Sequence, residues 1–359
     1  MSESHRPRIL SSEAIAAAGD GGGIGARPAL IWPERASVFA QRQMRLRQLA
    51  QGHAMGDFLR FMSDLAQVQQ AALQEGSGES LPDLPLPDAA ALERAQQVGL
   101  PPLPAADWPR DAAWRASLRA MVKALRRCEA PEGVRAALDA VERSSDDDLE
   151  RQADCLLTGV MHGVDLATAP LVAAALQVHW TRLALGLQAS GWTPPSAALG
   201  AATDGSALTA ADAGSCPCCG SRPTASLTRS TGGASGQRVL HCSLCSVQWP
   251  LPRIQCTRCM ATERVYYQSL ELAQAGAEED EGRAAQAAVQ AECCSDCGHY
   301  LKIMHRDRDA FVDAVADDLA TLTLDLLVSE AGLQRHGVNL MLLFGEPGPV
   351  PEASLADDR

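Results

Sequence analysis

Four Cys-x-x-Cys pairs between residues 216 and 297 constrain the fold of this chain more than any other feature. Two intervening residues allow a tight turn to present both sulfurs to one ion, and two such turns complete a tetrahedral site of four thiolates. A single pair would be weak evidence, because redox dithiols share the same spacing. Four pairs therefore predict two metal ions, each bound by four cysteines. The predicted ligands are Cys216, Cys219, Cys242, Cys245, Cys256, Cys259, Cys294 and Cys297.

The order of the pairs favours a sequential arrangement, in which the first two pairs share one ion and the last two share the other. Each half would then be a complete ribbon with its own hairpin. The alternative is an interleaved arrangement, in which the first pair joins the third. Iron and zinc both accept four thiolates in a tetrahedron, so the ligand set leaves the metal open. Such sites have no position for water, which argues against a metallohydrolase.

Length and charge narrow the class of protein. The chain has 359 residues, 12 cysteines and a formal net charge of −13. With no signal-peptide pattern at residues 1–8, this many cysteines indicate reduced metal ligands and a cytoplasmic location. The negative charge argues against a general nucleic-acid binder and gives no attraction to anionic membranes. The most apolar stretch, residues 171–187, contains polar and charged side chains, so we expect a buried helix and no stable membrane insertion.

The hydrophobic pattern divides the chain into regions. Residues 1–26 end in a glycine-rich run and are predicted to be a flexible tail. Residues 27–190 are predicted to be an all-helical domain of five or more helices, and residues 191–215 a linker. The cysteine-rich part, residues 216–305, has short alternating runs typical of small β-ribbons. Residues 306–345 contain a C-terminal helix that is expected to pack on these ribbons. The predicted fold class is therefore α with a small β content.

Local signals place individual elements within these regions. Proline suits the first turn of a helix, and Ser or Thr followed three residues later by an acidic residue is a typical helix cap. Helices are predicted to begin at Pro33 and after Gly56, to run over Trp114–Cys128, to follow the Ser145/Asp148 cap and to run over Val172–Leu187. A loop is predicted over residues 76–106, and β-ribbons are predicted at residues 238–241, 265–270 and 299–303. Residues 273–290 are predicted to be a solvated insertion or a short helix.

The C-terminal helix is predicted over Phe311–Leu327. Asp318 and Asp325 flank its apolar stripe. Paired carboxylates can act in acid–base catalysis, but we expect them to meet arginines across a domain interface instead. Asp317 is predicted to be solvated. The predicted stripe consists of Phe311, Val315, Leu319, Leu322 and Leu326.

The remaining cysteines and the nearby histidines are not needed as ligands, because four sulfurs already fill each site. Cys218 and Cys293 lie beside ligands and are predicted to be spare small residues, although an accessible thiol of lowered pKa is the alternative. Cys128 and Cys155 fall in helical patterns and are expected in the core. Three histidines are predicted to contact the ligand residues and not the metal: His241, His299 and His305.

Arginines are concentrated around the first three cysteine pairs. Four thiolates with a divalent ion carry a formal charge of −2, so these arginines are expected to offset that charge and to cap backbone turns. The alternative is a basic face that binds a partner. The arginines are Arg222, Arg229, Arg238, Arg253, Arg258 and Arg264, against the single acidic residue Glu263 over residues 216–270.

Taken together, these motifs resemble the FdhE-type formate dehydrogenase accessory proteins. The similarity spans about residues 30–345, and the ordered cysteine pairs are its most specific part. It rests on the segments Cys216–Pro223, Arg238–Cys245 with Trp249 and Arg253, Cys256–Cys259, Glu292–Lys302, the run from Ala316 to Leu322, Gly56–Phe61 and Ala173–Thr181.

The resemblance implies two rubredoxin-like modules, at residues 216–255 and 256–305, that follow the helical domain and hold iron in preference to zinc. It also implies a cytoplasmic accessory protein, without catalytic residues of its own, that is required for active respiratory formate dehydrogenase. The expected partner is the catalytic subunit of that enzyme before its export, and self-association is a further expectation.

Two other functions compete with this one. A rubredoxin-like electron carrier or a thiol oxidoreductase would use the same Cys-x-x-Cys pairs for redox chemistry. A zinc-ribbon nucleic-acid binder would use them as a scaffold, but the net charge disfavours it.

Overall fold

The structure is a computed structural model that describes residues 8–13, 30–75, 84–195, 214–231, 234–271 and 287–343. The part that precedes the cysteine pairs is helical, as predicted. Its helices within the described residues are α1 (Val38–Leu49), α2 (Gly56–Gln74), α3 (Ala89–Val98), α4 (Ala113–Leu125), α5 (Glu132–Arg143), α6 (Asp146–Thr158) and α7 (Ala169–Ala189).

Three of these helices follow from their sequence patterns. α2 buries Leu59, Met62 and Leu65, among others, at steps of three residues along one face. α6 has the expected capping box, in which the Ser145 hydroxyl accepts from the Asp148 amide and the Asp148 carboxylate accepts from the Ser145 amide. α7 is buried on all sides, which agrees with its nearly continuous apolar sequence.

Several helix predictions were wrong in their limits. α1 begins at Val38, five residues after Pro33, because a turn at Glu34 precedes it. α3 lies inside the predicted loop 76–106; the Asp88 carboxylate caps its start, and Gly99 ends it with φ +71°. α5 was not predicted, and α4 ends before Cys128. The sequence of α5 does carry an amphipathic pattern, with Ala137, Leu138 and Val141 on one buried face and Glu132 in the first turn, so this helix was predictable.

The cysteine-rich part forms one mixed sheet with the order β1-β5-β6-β7-β2-β3-β4, and β8 pairs with β7. All pairs are antiparallel except β2 with β7 and β7 with β8. The strands are β1 (Arg8–Glu13), β2 (Pro223–Thr231), β3 (Ala234–Cys242), β4 (Gln248–Pro250), β5 (Val265–Glu271), β6 (Val289–Cys294), β7 (His299–His305) and β8 (Gln334–Arg335).

The sheet differs from the prediction in two respects. The two expected ribbons are not separate, because β2 and β7 pair in parallel through Ser226 and Ile303 and their neighbours and join them into one sheet. Residues 8–13 of the predicted flexible tail form β1, which pairs with β5 at the sheet edge. The glycine-rich run, most of the predicted linker and most of the predicted insertion lie outside the described residues.

The predicted C-terminal helix is two short helices, α8 (Ala316–Ala320) and α9 (Leu322–Glu330). α8 starts late because the Asp313 carboxylate accepts from the Val315 and Ala316 amides, a local bond that competes with helix formation. Phe311 and Leu326 were wrongly assigned to the buried stripe, since they are 74% and 60% exposed.

One hydrophobic core runs through the helices, the first two cysteine pairs and part of the C-terminal segment. Trp114 and Trp180 lie at its helical end, and Trp249 of β4 lies beside the cysteines. None of the described helices is long and apolar enough to span a bilayer. The first two cysteine pairs therefore pack directly against the helices.

Candidate metal centres

Each Cys-x-x-Cys pair lies in a turn that is followed by a residue with positive φ. These four residues are Gly220 (φ +75°), Ser246 (+61°), Met260 (+61°) and Gly298 (+68°). In three turns the carbonyl of the first cysteine accepts from the amide of this residue, at 2.8–3.0 Å. The repeated geometry turns the two sulfurs of each pair toward one point. The glycines after Cys219 and Cys297 are the sequence signal of this turn.

The eight cysteines form two groups of four. The first group consists of Cys216, Cys219, Cys242 and Cys245, and the second group of Cys256, Cys259, Cys294 and Cys297. Within each group all the sulfurs lie within 4.8 Å of one another. The sequential arrangement is thus the one that the structure shows, and the interleaved alternative is excluded.

The spacing of the sulfurs fits a tetrahedral metal site. In the first group the Sγ atoms of Cys219 and Cys242 are 3.4 Å apart and those of Cys216 and Cys245 3.6 Å. In the second group the closest pairs are separated by 3.6 and 3.7 Å. A tetrahedron with metal–sulfur bonds of about 2.3 Å places its sulfurs about 3.8 Å apart, whereas a disulfide requires about 2.05 Å. None of the eight forms a disulfide.

The electrostatics of the groups also fit a cation. Burial raises the pKa of Cys216 and Cys245 well above that of an ordinary thiol, and it raises the pKa of Cys256 as well. Four thiolates can be held together in such surroundings only if a cation compensates their charge. Backbone amides help: those of Leu244 and Cys245 both lie 3.4 Å from the Cys242 sulfur. The donor set therefore suits iron or zinc.

The two groups differ in their surroundings. The four cysteines of the first group are at most 1% exposed and belong to the main core. The helical part bonds directly to their turns: the amides of Leu103 and Ala105 donate to the carbonyls of Cys218 and Cys219, and Gln177 of α7 donates to Ser243 at 2.7 Å. The first group thus ties helices and sheet together.

The second group lies apart from this core, in a small cluster with Val265. Cys259 and Cys297 are only half-buried. A metal at the second group would therefore be reached by solvent more easily than one at the first.

Only some of the cysteines and histidines next to the ligand residues have the roles that the sequence predicted. Cys218 and Cys293 are fully buried, and burial raises the pKa of Cys293 to about 12, which argues against the alternative of an accessible thiol of lowered pKa. His299 bonds through Nδ1 to the carbonyl of Cys297 at 2.8 Å, as expected for a residue that supports a ligand. His305 instead bonds to a glutamine. Cys128 and Cys155, expected in the core, are half-buried.

One of the arginines joins the two halves of the sheet. Arg238 of β3 and Glu292 of β6 form a buried ion pair at 2.6 Å. Arg238 also donates to the carbonyls of Pro252 and Gln255, in the segment between the two groups. Burial raises the pKa of Glu292 to about 7, although Arg238 opposes this. Arg238 therefore caps backbone, as predicted, and connects the surroundings of both groups.

The sequence predicted the surroundings of the acidic residues in the C-terminal helices only in part. Asp318 and Asp325 are buried and pair with Lys302 of β7 and Arg335 of β8, within the sheet region. Asp317 was predicted to be solvated, which was wrong. It is buried and forms a two-pronged ion pair with Arg45 of α1, at 2.6 and 2.9 Å. Asp317 therefore joins the C-terminal segment to the helices, and Asp318 does not.

Comparison with protein families gives a consistent result along the chain. Residues 27–196 match the family model described as FdhE, N-terminal, residues 215–253 the FdhE central domain, and residues 254–342 the FdhE C-terminal domain. A protein FdhE homologue from Edwardsiella ictaluri is 36% identical over 339 residues, which cover 94% of this chain and 99% of the relative. Protein FdhE from Salmonella dublin is 34% identical over 319 residues, or 89% and 92% of the two chains.

A solved structure shares the fold. The crystal structure of the FdhE protein from Pseudomonas aeruginosa superposes with a TM-score of 0.68 at 34% sequence identity. The match covers 88% of this chain and 98% of that one.

Proposed function

This chain belongs to the FdhE family, and we propose that it is a cytoplasmic accessory protein needed for active respiratory formate dehydrogenase. In this proposal it binds the catalytic subunit of that enzyme and has no catalytic site of its own. The observation that carries it is the pair of complete four-cysteine groups, one of them built into the core that joins helices and sheet. Closed sites of this kind stabilise a scaffold and offer no coordination position to a substrate.

We assign two metal ions to the chain. The first would be held by Cys216, Cys219, Cys242 and Cys245, and the second by Cys256, Cys259, Cys294 and Cys297. Iron is the preferred ion, on the family resemblance, and zinc is the alternative. Either ion would supply a tetrahedral cross-link between two turns, and iron would in addition supply a one-electron couple.

The metal assignment is tested on protein purified without oxygen. Elemental analysis should find two ions per chain, and iron should give thiolate-to-iron absorption in the visible spectrum. A fully folded protein without metal would overturn the assignment. Light scattering on the same sample would decide the expected self-association.

The partner is tested by capture. The purified catalytic subunit of formate dehydrogenase should be retained by the immobilised accessory protein, and deletion of the gene should abolish formate oxidation. If the subunit is not retained and formate oxidation is unchanged, the accessory function fails.

A second function has one observation in its favour. The half-buried Cys259 and Cys297 would bring an iron at the second group close to solvent, as an electron carrier requires. A reversible one-electron couple that is lost in Cys259→Ser, with formate oxidation intact, would favour the carrier. A thiol oxidoreductase is disfavoured, because each Cys-x-x-Cys pair faces a second pair across its group.

A further inference from the structure

A pocket of about 210 Å³ lies where three parts of the fold meet. The end of α6 contributes Leu157 and Thr158, the turn after Cys219 contributes Arg222, and the C-terminal segment contributes Val338 and Leu340. Pockets for small molecules and cofactors usually occupy about 300–1,000 Å³. This one is therefore too small for a cofactor and suits one apolar side chain of another protein.

The walls of the pocket are fixed by backbone bonds, so it is formed before anything binds. α6 ends at Gly159, which has φ +74° and donates to the Cys155 carbonyl. The turn that follows Cys219 is shaped by Gly220, at φ +75°. The amide of Val338 donates to the Pro223 carbonyl at 2.9 Å and holds the C-terminal segment beside this turn. A pre-formed recess loses little entropy when it receives a side chain.

The rim of the pocket carries a positive charge that has no counter-ion among the described residues. Arg222 forms no ion pair with any residue that the structure describes, in contrast to Arg45 and Arg238. Burial lowers the pKa of Arg222, and the nearby cation Arg258 lowers it further. Arg258 follows the first cysteine of the second group by two residues and is likewise unpaired among the described side chains. In a chain of net charge −13, this is a locally positive site.

Five apolar side chains line the recess beside polar ones such as Ser221 and Ser243, and together with the rim arginine they specify the ligand. Charges across a specific interface are complementary, and an arginine beside a desolvated pocket favours a carboxylate. Val160, just beyond the pocket, is 52% exposed and extends the apolar surface. A segment with an apolar side chain next to an acidic residue satisfies both features at once.

We propose that this pocket is the docking site for an acidic–apolar segment of the partner protein, with the apolar side chain in the recess and the carboxylate on Arg222. The inference rests on the proposed function, which makes the partner the catalytic subunit of formate dehydrogenase. It adds the surface and the chemistry of recognition.

The test measures the affinity of the metal-loaded full chain for the purified catalytic subunit. Arg222→Glu reverses the charge at the rim, and Thr158→Trp, from an exposed position, fills the recess. Each should weaken binding at least ten-fold with unchanged metal content and circular dichroism. Two controls make the same changes elsewhere: Arg127→Glu, after α4, and Ser329→Trp, near the end of α9. Both are exposed, and both should bind within two-fold of wild type.

The outcomes separate this inference from the function on which it rests. If wild type binds and either pocket variant retains its affinity, the docking site is wrong and the accessory function stands. If wild type does not bind, both fail. If Thr158→Trp converts a dimer to a monomer in light scattering, a second copy of this chain occupies the pocket, and the inference is overturned.

Discussion

The side chain of His179 shows how the interior of the helical part limits stability at low pH. It is 2% exposed, stacks edge-on against Trp180 at 5.2 Å, and has no hydrogen-bond partner for either ring nitrogen among the described residues. Burial is the main cause that lowers its pKa to about 4. The folded protein therefore keeps this imidazole neutral where the unfolded chain protonates it.

We predict that His179→Leu removes part of the pH dependence of stability. Because the folded pKa of about 4 lies below the unfolded value of 6.5, His179 costs stability as pH falls between these values and nothing above 6.5. Between pH 7.5 and 5.5 the wild type should lose about 1.3 kcal/mol that the variant keeps. Urea unfolding at both pH values measures this. His162→Leu, at an exposed position, is the control, and parallel pH profiles for wild type and His179→Leu would contradict the prediction.

A second prediction concerns the ion pair of Arg45 and Asp317. Asp317→Ala leaves the buried guanidinium of Arg45 with one carboxylate, that of Asp309, and the neutral amide of Gln48 among the described residues. Removal of one partner of a buried pair costs about 3 kcal/mol. Asp57→Ala, which breaks the exposed pair with Arg60, should cost less than about 1 kcal/mol. The free energy of unfolding in urea decides between them. Equal effects of the two substitutions would show that Asp317 does not join the segments, and the double variant Arg45→Met/Asp317→Leu should recover most of the loss.

At the scale of elements, each of the four cysteine turns depends on a residue with a left-handed backbone conformation directly after the pair. Two of these positions are glycine, and two are Ser246 and Met260, which adopt the same conformation at a cost. Gly298 is the cleanest test, because a Cβ there would meet no atom within 4 Å and would feel only the backbone strain.

We therefore predict that Gly298→Ala lowers the free energy of unfolding by about 1 kcal/mol, because an L-residue with positive φ is strained. Gly133→Ala is the matched control. Its Cβ also meets nothing within 4 Å, but it lies in α5, where alanine should stabilise by up to about 1 kcal/mol. Thermal or urea unfolding of the metal-loaded protein measures both. A destabilised control, or an unaffected Gly298→Ala, would refute the conformational argument.

The elements that the sequence predicted poorly are those whose stability comes from distant contacts. β8 has only two residues, which pair with β7. The segment before α8 looks helical in its apolar spacing, yet Asp309 and Asp313 bond to nearby amides and hold it in turns. Local polar bonds and tertiary pairing override periodicity at these places.

At the scale of the whole molecule, the two four-cysteine groups have unequal surroundings. The first group is embedded between the helices and the sheet, while the second lies near the surface with Cys259 and Cys297 half-buried. Opening of a buried site requires disruption of the core, whereas a surface site opens locally.

We predict that a chelator removes the two metals in separate phases, with the second group losing its ion first. Cys256→Ser/Cys259→Ser should bind one ion and show only the slow phase. Cys216→Ser/Cys219→Ser should also lose one ion, but with loss of cooperative unfolding, because the first group belongs to the main core. Release followed with a chromophoric chelator, together with metal analysis of the variants, tests this. Identical release from both groups would show that burial does not control access.

The sequence by itself indicated the eight candidate ligands, the helices with strong patterns and the family. These depend on residues close together in the chain, where two-residue spacings and helical periodicity act directly on the backbone. Only the tertiary structure decided that the cysteine pairs group in order along the chain, that β2 and β7 fuse the ribbons into one sheet, and that Asp317 and not Asp318 meets Arg45. It also placed Arg222 beside a pocket with no ion-pair partner among the described residues. These features come from packing between residues up to 272 positions apart. The local spacing of side chains does not determine which distant residue each of them contacts.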